Sequence, residues 1–520
     1  MRWFLLTAAA LGAGGCKQII PNSDSTVSLQ LDIPDTPNAT LAPKGYTQVD
    51  LRIHSPTGDL ERTVAIDGTT FDFGTVDAAM GVSVEAVLRN ASGTAVGYGR
   101  SAGPVDLEPN DTITVPVRRP IAYIAGQISV PSDPQNPNSP LVWTEAAATF
   151  DDLSTGAAPD GTAKLGQDVV LMVSAGPSLF LFQQGTSNPN GDLTGNATVL
   201  PVSTSDHSIG TPLTGILMGG VIDGAGSDDG RWLVVGTTTG LYIVDTMAGT
   251  ATSVASGAFE RVAVVGSDST GVTAVAVMNR TATTGTCSST AQIYWVTAGN
   301  AKSVATGGFA DVAASQGSAY YVDACKGALG TVSATGATSL RTNLGKPTAL
   351  AVSDGQAYVG VETPGTPAYV ALMSMATAQG ATDMPRTLWS EPAQQVLEAT
   401  DAGDQGVQRE LDSDSAVFDQ LEVGAGGDYV AATITAHYTG PEVVDANFPA
   451  MDIDADELLV TDAATGAFAQ RYRSWCDGVL TIGTFDIPDW KCATSESETA
   501  PTSPDDEHRI ESMTFIFGEK

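Results

Sequence analysis

Two acidic stretches of this 520-residue chain have the composition of a hard-cation site. In Asp452-Ile453-Asp454-Ala455-Asp456-Glu457 the alternating carboxylates could supply oxygens to calcium. The helix–loop–helix calcium loop needs glycine at its sixth place, where Glu457 stands, and Leu458-Leu459-Val460 continues as a strand. The segment Asp223-Gly224-Ala225-Gly226-Ser227-Asp228-Asp229-Gly230 is flexible and oxygen-rich, yet an Asp-Asp-Gly hairpin turn ahead of Arg231-Trp232-Leu233-Val234 accounts for it. No bound cofactor is expected, and Ca2+ at Asp223, Asp228 and Asp229 or at Asp452, Asp454 and Asp456 is the one candidate. Gly99-Arg100-Ser101-Ala102-Gly103 matches a nucleophile-elbow pattern, which requires a strand, a strained turn and a helix. Pro104 follows at once and no helical periodicity opens, so a strand end is expected. Gly345-Lys346 lacks the glycines of a phosphate loop. No catalytic residue is expected.

Cysteine chemistry points to an oxidising compartment. Of five cysteines, Cys16 lies near the start, leaving Cys287, Cys325, Cys476 and Cys492 as an even set. Three pairings are open; the nearest in sequence, Cys287–Cys325 and Cys476–Cys492, is the one expected. There is no CxxC, and His54, His207, His437 and His508 lie far apart, so neither a zinc site nor a redox dithiol is expected.

The chain carries 59 acidic against 24 basic residues, a net charge of −35. Nucleic acid is excluded as a partner on this ground, because phosphate backbones are held mainly by Lys and Arg. From Glu391 onward the imbalance is steepest, with 27 acidic and 6 basic residues. An acidic surface of this kind keeps an exported protein soluble and monomeric.

Such groups must be positioned by strands, since 56 Gly and 28 Pro amid abundant Thr, Ser, Val and Ala suit short strands and turns. Alternation in Val27–Ile33, Val49–Ile53, Val82–Leu88 and Thr112–Val117 marks half-buried strands. Residues 26–119 therefore read as a β-sandwich of immunoglobulin-like or transthyretin-like architecture, ending at Arg118-Arg119-Pro120.

Residues 120–520 repeat. Strand-turn units recur at Leu241–Gly249, Ile293–Gly299, Leu329–Gly336, Val370–Gly380 and Leu458–Gly466, their turn glycines 50, 37, 44 and 86 residues apart. A unit of about 40–45 residues with four strands is a propeller blade. Phe259-Glu260-Arg261-Val262-Ala263-Val264, Phe309–Ala314, Pro347–Val352 and Phe418–Val423 read as equivalent inner strands. Earlier units are expected over 168–203 and 215–256. Tyr242, Tyr294, Trp295, Tyr320, Tyr321 and Tyr358 recur at blade positions and read as packing. Pairing of Ile121–Ile124 with Met513–Phe517 would close the ring and leave no free edge. Residues 382–415 read as an acidic insertion with a short helix at Glu391–Leu397. The repeat resembles the YncE-like and quinoprotein-like propellers. All-β architecture is thus expected: a sandwich followed by a six- to seven-bladed propeller.

The leader locates the protein. Met1–Gly15 has an early Arg2, an apolar middle too short to span a bilayer, and small residues before Cys16. Ala13-Gly14-Gly15-Cys16 resembles the lipobox of bacterial lipoproteins, with Leu11 further from the cysteine than the strongest examples place it. The resemblance implies a signal peptide over 1–15, lipid on Cys16, a tether over 16–25 and, with Lys17 following, the outer membrane, on its periplasmic or cell-surface face. The membrane and an envelope or extracellular protein are the expected partners, in a binding or scaffold role. A propeller enzyme and a calcium- or glycan-dependent adhesin are the alternatives.

Overall fold

The computed structural model describes residues 25–33, 42–54, 60–66, 70–76, 82–101, 105–106, 112–131, 141–145, 149–152, 169–184, 196–281, 287–363, 369–381, 383–392, 399–402, 408–410, 415–439, 452–466, 468–473, 480–482, 485–487, 490–492 and 508–518. Among these the chain is all-β, with one short 3-10 turn at Ala425–Gly427. Cys16, the leader and Cys476 lie outside the described residues, as do residues 393–397 of the expected helix. Glu391 and Pro392, expected to open that helix, instead end the strand Arg386–Pro392.

The N-terminal strands follow the order Leu60–Ala65, Tyr46–His54, Ser83–Asn90, Ala95–Arg100, Thr112–Arg118, Ser25–Asp32, Thr70–Val76. Ser25–Asp32 runs parallel to Thr112–Arg118, while the other pairs are antiparallel. Period-two alternation puts Leu29, Leu31, Val49, Leu51, Ile53, Val84, Ala86, Leu88, Val115 and Val117 into one apolar core.

Among the described residues nine further sheets follow: seven have propeller-like order, and two smaller ones join Gln408–Glu410, Ala399–Ala402 and Trp490–Cys492, and Leu480–Ile482 with Phe485–Ile487. Sheet one joins Ile121–Pro131, Leu141–Glu145 and Thr149–Asp152 to the distant His508–Phe515. Sheet two is Val169–Ala175, Ser178–Gln183 and Thr198–Ser203. Sheets three to seven are four-stranded meanders whose first strands are Val221–Gly226, Phe259–Asp268, Phe309–Ser315, Lys346–Ser353 and Ser415–Gly424. Each of these first strands packs on the first strand of the next sheet. His508–Phe515 packs on both Val169–Ala175 and Ser415–Gly424, so the succession returns on itself. The closing register pairs Ile124 with Met513, Tyr123 with Thr514 and Ala122 with Phe515.

Two devices tie neighbouring sheets together. Phenylalanines seat against strand glycines of the neighbouring sheet: Phe259 on Gly236, Phe418 on Gly360 and Phe515 on Gly424, where a Cβ would collide with the aromatic residue. Glycine in a strand marks such close approach, and each buried ring contributes roughly 1.5–3 kcal/mol. Side chains on inner strands also accept backbone N–H groups from the next sheet. Asp223 accepts from Val262 at 2.8 Å, Asp311 from Leu350 at 2.9 Å, Glu422 from Phe515 at 2.7 Å, and Ser512 from Met172 at 3.0 Å.

Candidate functional site

The N-terminal sheet meets turns that follow the inner strands of sheets three, five, six and seven, at Asp228, Gln316, Asp354 and Asp428. Its cations meet their carboxylates: Arg52 to Asp354 at 3.2 Å, Arg89 to Asp428 at 3.0 Å, Arg100 to Asp228 at 3.5 Å. Arg118 donates to Thr204 at 3.1 Å, and Tyr98 meets the edge of Phe517 with ring centres 5.7 Å apart. Positive charge on the sheet thus faces negative charge on the ring.

Beneath this contact lies a cavity of about 540 Å³, walled by inner strands and roofed by His54, Ser83, Glu85 and Arg100. Its walls carry Ser174, Ser267, Ser315, Gln420 and Thr514 between small apolar residues. Glu85 is buried, and three donors converge on its Oε1: Arg100 Nη2 at 2.6 Å, Arg100 Nε at 2.8 Å and the Tyr98 hydroxyl at 3.1 Å. Burial opposes its ionisation, but the Arg100 charge and then His54 outweigh it and hold the carboxyl down at about 2. His54 Nε2 lies 3.2 Å from Glu85 Oε2 and 3.9 Å from Asp354 Oδ1. Burial and the neighbouring Glu85 charge push Asp354 up.

The opposite mouth of the ring is closed by a second ionic group. Arg261 on the inner strand of sheet four reaches Asp419 of sheet seven at 2.6 Å, and Arg280 joins the same carboxylate at 3.1 Å. Arg280 also donates to the carbonyls of Ala310 and Thr348, at 2.8 and 3.1 Å, spanning sheets five and six. Desolvation works against ionisation of Asp419, and the two guanidiniums hold it well below the usual carboxylate range. Both arginines are engaged, leaving a structural bolt across the axis.

The sequence-predicted residues fare differently. Asp223 is buried and serves Val262; Asp228 faces Arg100; Asp229 Oδ1 accepts from Ser227 and from Arg231 N at 3.0 Å within its own turn. These three do not converge: Asp223 is a sheet-to-sheet hook, and Asp228 and Asp229 lie in the hairpin turn read from the sequence. Asp452, Asp454 and Asp456 open the strand Asp452–Asp462, paired with Thr439, His437 and Thr435, and their side chains lie outside the description. Ser101 follows the strand Ala95–Arg100, buried, with its hydroxyl accepting from Val84 N at 3.2 Å. Cys287 and Cys325 form a disulfide with Cα atoms 5.5 Å apart, stapling sheet four to sheet five. Cys492 is a strand residue whose side chain lies outside the description. Tyr242, Tyr320, Tyr321 and Tyr358 are buried in the sheets, and Phe259 packs edge-on against Tyr294 at 5.2 Å.

Sequence reasoning missed both ionic groups. His54 and Asp354 are 300 residues apart, and nothing local marks either. The hooks did leave a signal: Asp223 and Val262 are 39 residues apart, as are Asp311 and Leu350.

No protein-family profile matches the chain, and no curated protein matches it. Among solved structures it is similar to the β-propeller domain of Cps50 (Swd1) from Myceliophteria thermophila, at 10% identity and TM-score 0.36, over 59% of this chain and 86% of that one. It is also similar to the β-propeller domain of the Trilobed protease from Pyrococcus furiosus, at 9% identity and TM-score 0.35, over 68% and 93%. These values assign the chain to no family.

Proposed function

We propose that this chain is a lipid-anchored bacterial envelope protein that holds a partner protein on a seven-bladed propeller. An immunoglobulin-like sandwich would separate the ring from the Cys16 anchor. The supporting observation is that the arginines at both ends of the axis are engaged by carboxylates of the protein itself. Arg261 and Arg280 share Asp419, while Glu85 takes both Arg100 donors. A propeller enzyme would need such groups aimed at a substrate. Contact then falls to the rim loops, where connecting segments carry function on a rigid scaffold. The face opposite the N-terminal sheet is favoured, because Asp228, Asp354 and Asp428 in turns of the near face are already engaged by arginines of that sheet.

Two measurements test this reading. Fatty-acid labelling in a bacterial host should mark the wild type and spare Cys16→Ser; equal labelling of both would remove the anchor. A photocrosslinking residue placed at Met218 or Tyr369, 63% and 43% exposed on the far face, should capture one common envelope protein in native cells. The same group at Met384, 87% exposed beside the near-face turns, should not. Capture from Met384 alone, or from none of the three, would overturn the far-face binding role.

A further inference from the structure

We propose that His54, Glu85 and Asp354 form a binding site for a divalent transition metal of the zinc class, pinning the N-terminal sheet to the ring. Their ligand atoms, His54 Nε2, Glu85 Oε2 and Asp354 Oδ1, all lie within 4.8 Å of one another. Zinc bound at 2.0–2.2 Å in tetrahedral geometry sets its ligand atoms about 3.4 Å apart. The His54–Glu85 separation of 3.2 Å and the His54–Asp354 separation of 3.9 Å bracket that value. Closing the third side needs only a small inward movement of the turn that carries Asp354.

Two of the surrounding contacts do what supporting residues of a metal site do, holding carboxylate oxygens that do not ligate, while Gln316 donates to the Asp354 oxygen that metal would take over. Tyr98 and Arg100 occupy Glu85 Oε1 and leave Oε2 facing His54. Arg52 Nη1 holds Asp354 Oδ2 at 3.2 Å. Gln316 Nε2 stands 3.4 Å from His54 Nδ1 and 2.9 Å from Asp354 Oδ1. His54 and Glu85 come from neighbouring strands, pairing with Ser83 and Arg52, so two ligands sit on a rigid ladder. One imidazole with two carboxylates suits zinc better than calcium, which prefers six to eight oxygens. The fourth position would open toward the cavity, where water completes the shell.

Without metal, the same three groups form an ionic clasp, and the test separates the two. The full chain is stripped with EDTA and titrated calorimetrically at neutral pH with ZnCl2, then with MnCl2 and CaCl2. One zinc per chain is expected, bound more tightly than manganese or calcium. His54→Ala and Asp354→Asn should each weaken it at least about tenfold. Asp428→Asn, which removes an ion pair of the same contact outside the triad, should bind zinc like the wild type. Zinc should raise the unfolding midpoint of wild type and Asp428→Asn but not of the triad variants. Circular dichroism checks folding; if His54→Ala is unfolded, the partly buried turn variant Asp354→Asn decides. Absence of stoichiometric heat, or undiminished binding by Asp354→Asn, would leave only the clasp and overturn the proposal.

Discussion

Arg261 and Asp419 meet across the axis of the ring, Nη2 to Oδ1 at 2.6 Å, although 158 residues separate them. The pair ties sheet four to sheet seven without passing through the sheets between. Arg280 completes it from the loop after the second strand of sheet four.

Asp419→Ala leaves two largely buried guanidiniums sharing no carboxylate at that mouth. Breaking a buried pair is destabilising by roughly 3–5 kcal/mol. Because the Asp419 side chain keeps 43% exposure, and Arg261 retains Asp311 at 3.6 Å, a loss of about 2 kcal/mol is expected here. Urea unfolding should show the lower midpoint, and Arg261→Met with Asp419→Leu together should recover part of it.

Reduction of Cys287–Cys325 frees the loop that begins with Arg280. The bridge closes 38 residues, which corresponds to about 2–4 kcal/mol of stability. Cys287→Ser should unfold at lower urea than the wild type, and dithiothreitol should lower the wild type while leaving the variant unchanged.

Acid should act in two windows. Burial holds the His207 imidazole down at about 4, and the Tyr123 hydroxyl lies 2.9 Å from its Nε2. The unfolded chain therefore takes up this proton first, and stability falls as pH drops from about 6.5 toward 4. Glu85 contributes fully above its unfolded value and loses that contribution as pH falls through about 2, while Asp354, pushed up by burial, works in the opposite sense. His207→Asn, which also suits the backbone φ of 58°, should remove the upper window, a change of about 2 kcal/mol between pH 7 and 4.5. Urea midpoints across that range measure it; an unchanged slope would assign the acid loss to other groups.

The strands of the ring were readable because their demands are local and repeated. Phe259, Phe309 and Phe418 stand at equivalent register shifts of their inner strands, and alanines follow the first two where the sheets crowd the axis. The closing pair was readable too, since apolar strands at 121–124 and 513–517 stand at the two ends of the repeat, although Thr149–Asp152 also pairs with 121–124 on the other side. The ionic groups were not, because His54, Glu85 and Asp354 are brought together only by docking of two separate folds. The role of Asp223 was hidden for a related reason. Its loop is rich in oxygen, and only the neighbouring sheet shows that its carboxylate is already committed to Val262. The stretch 382–415 reads as acidic and aperiodic, yet Arg386–Pro392 completes sheet six as its outer strand.

The strand His508–Phe515 has a consequence for how the molecule is made. It supplies the innermost strand of the first sheet, so Tyr123 and its neighbours wait for a partner nearly four hundred residues downstream. Until that segment arrives, sheets one, two and seven lack a shared seam, and Phe517 cannot meet Tyr98. Loop closure over such a span is entropically slow. A chain emerging vectorially would thus exist as an open spiral of finished sheets, sealed in one late step by His508–Phe515.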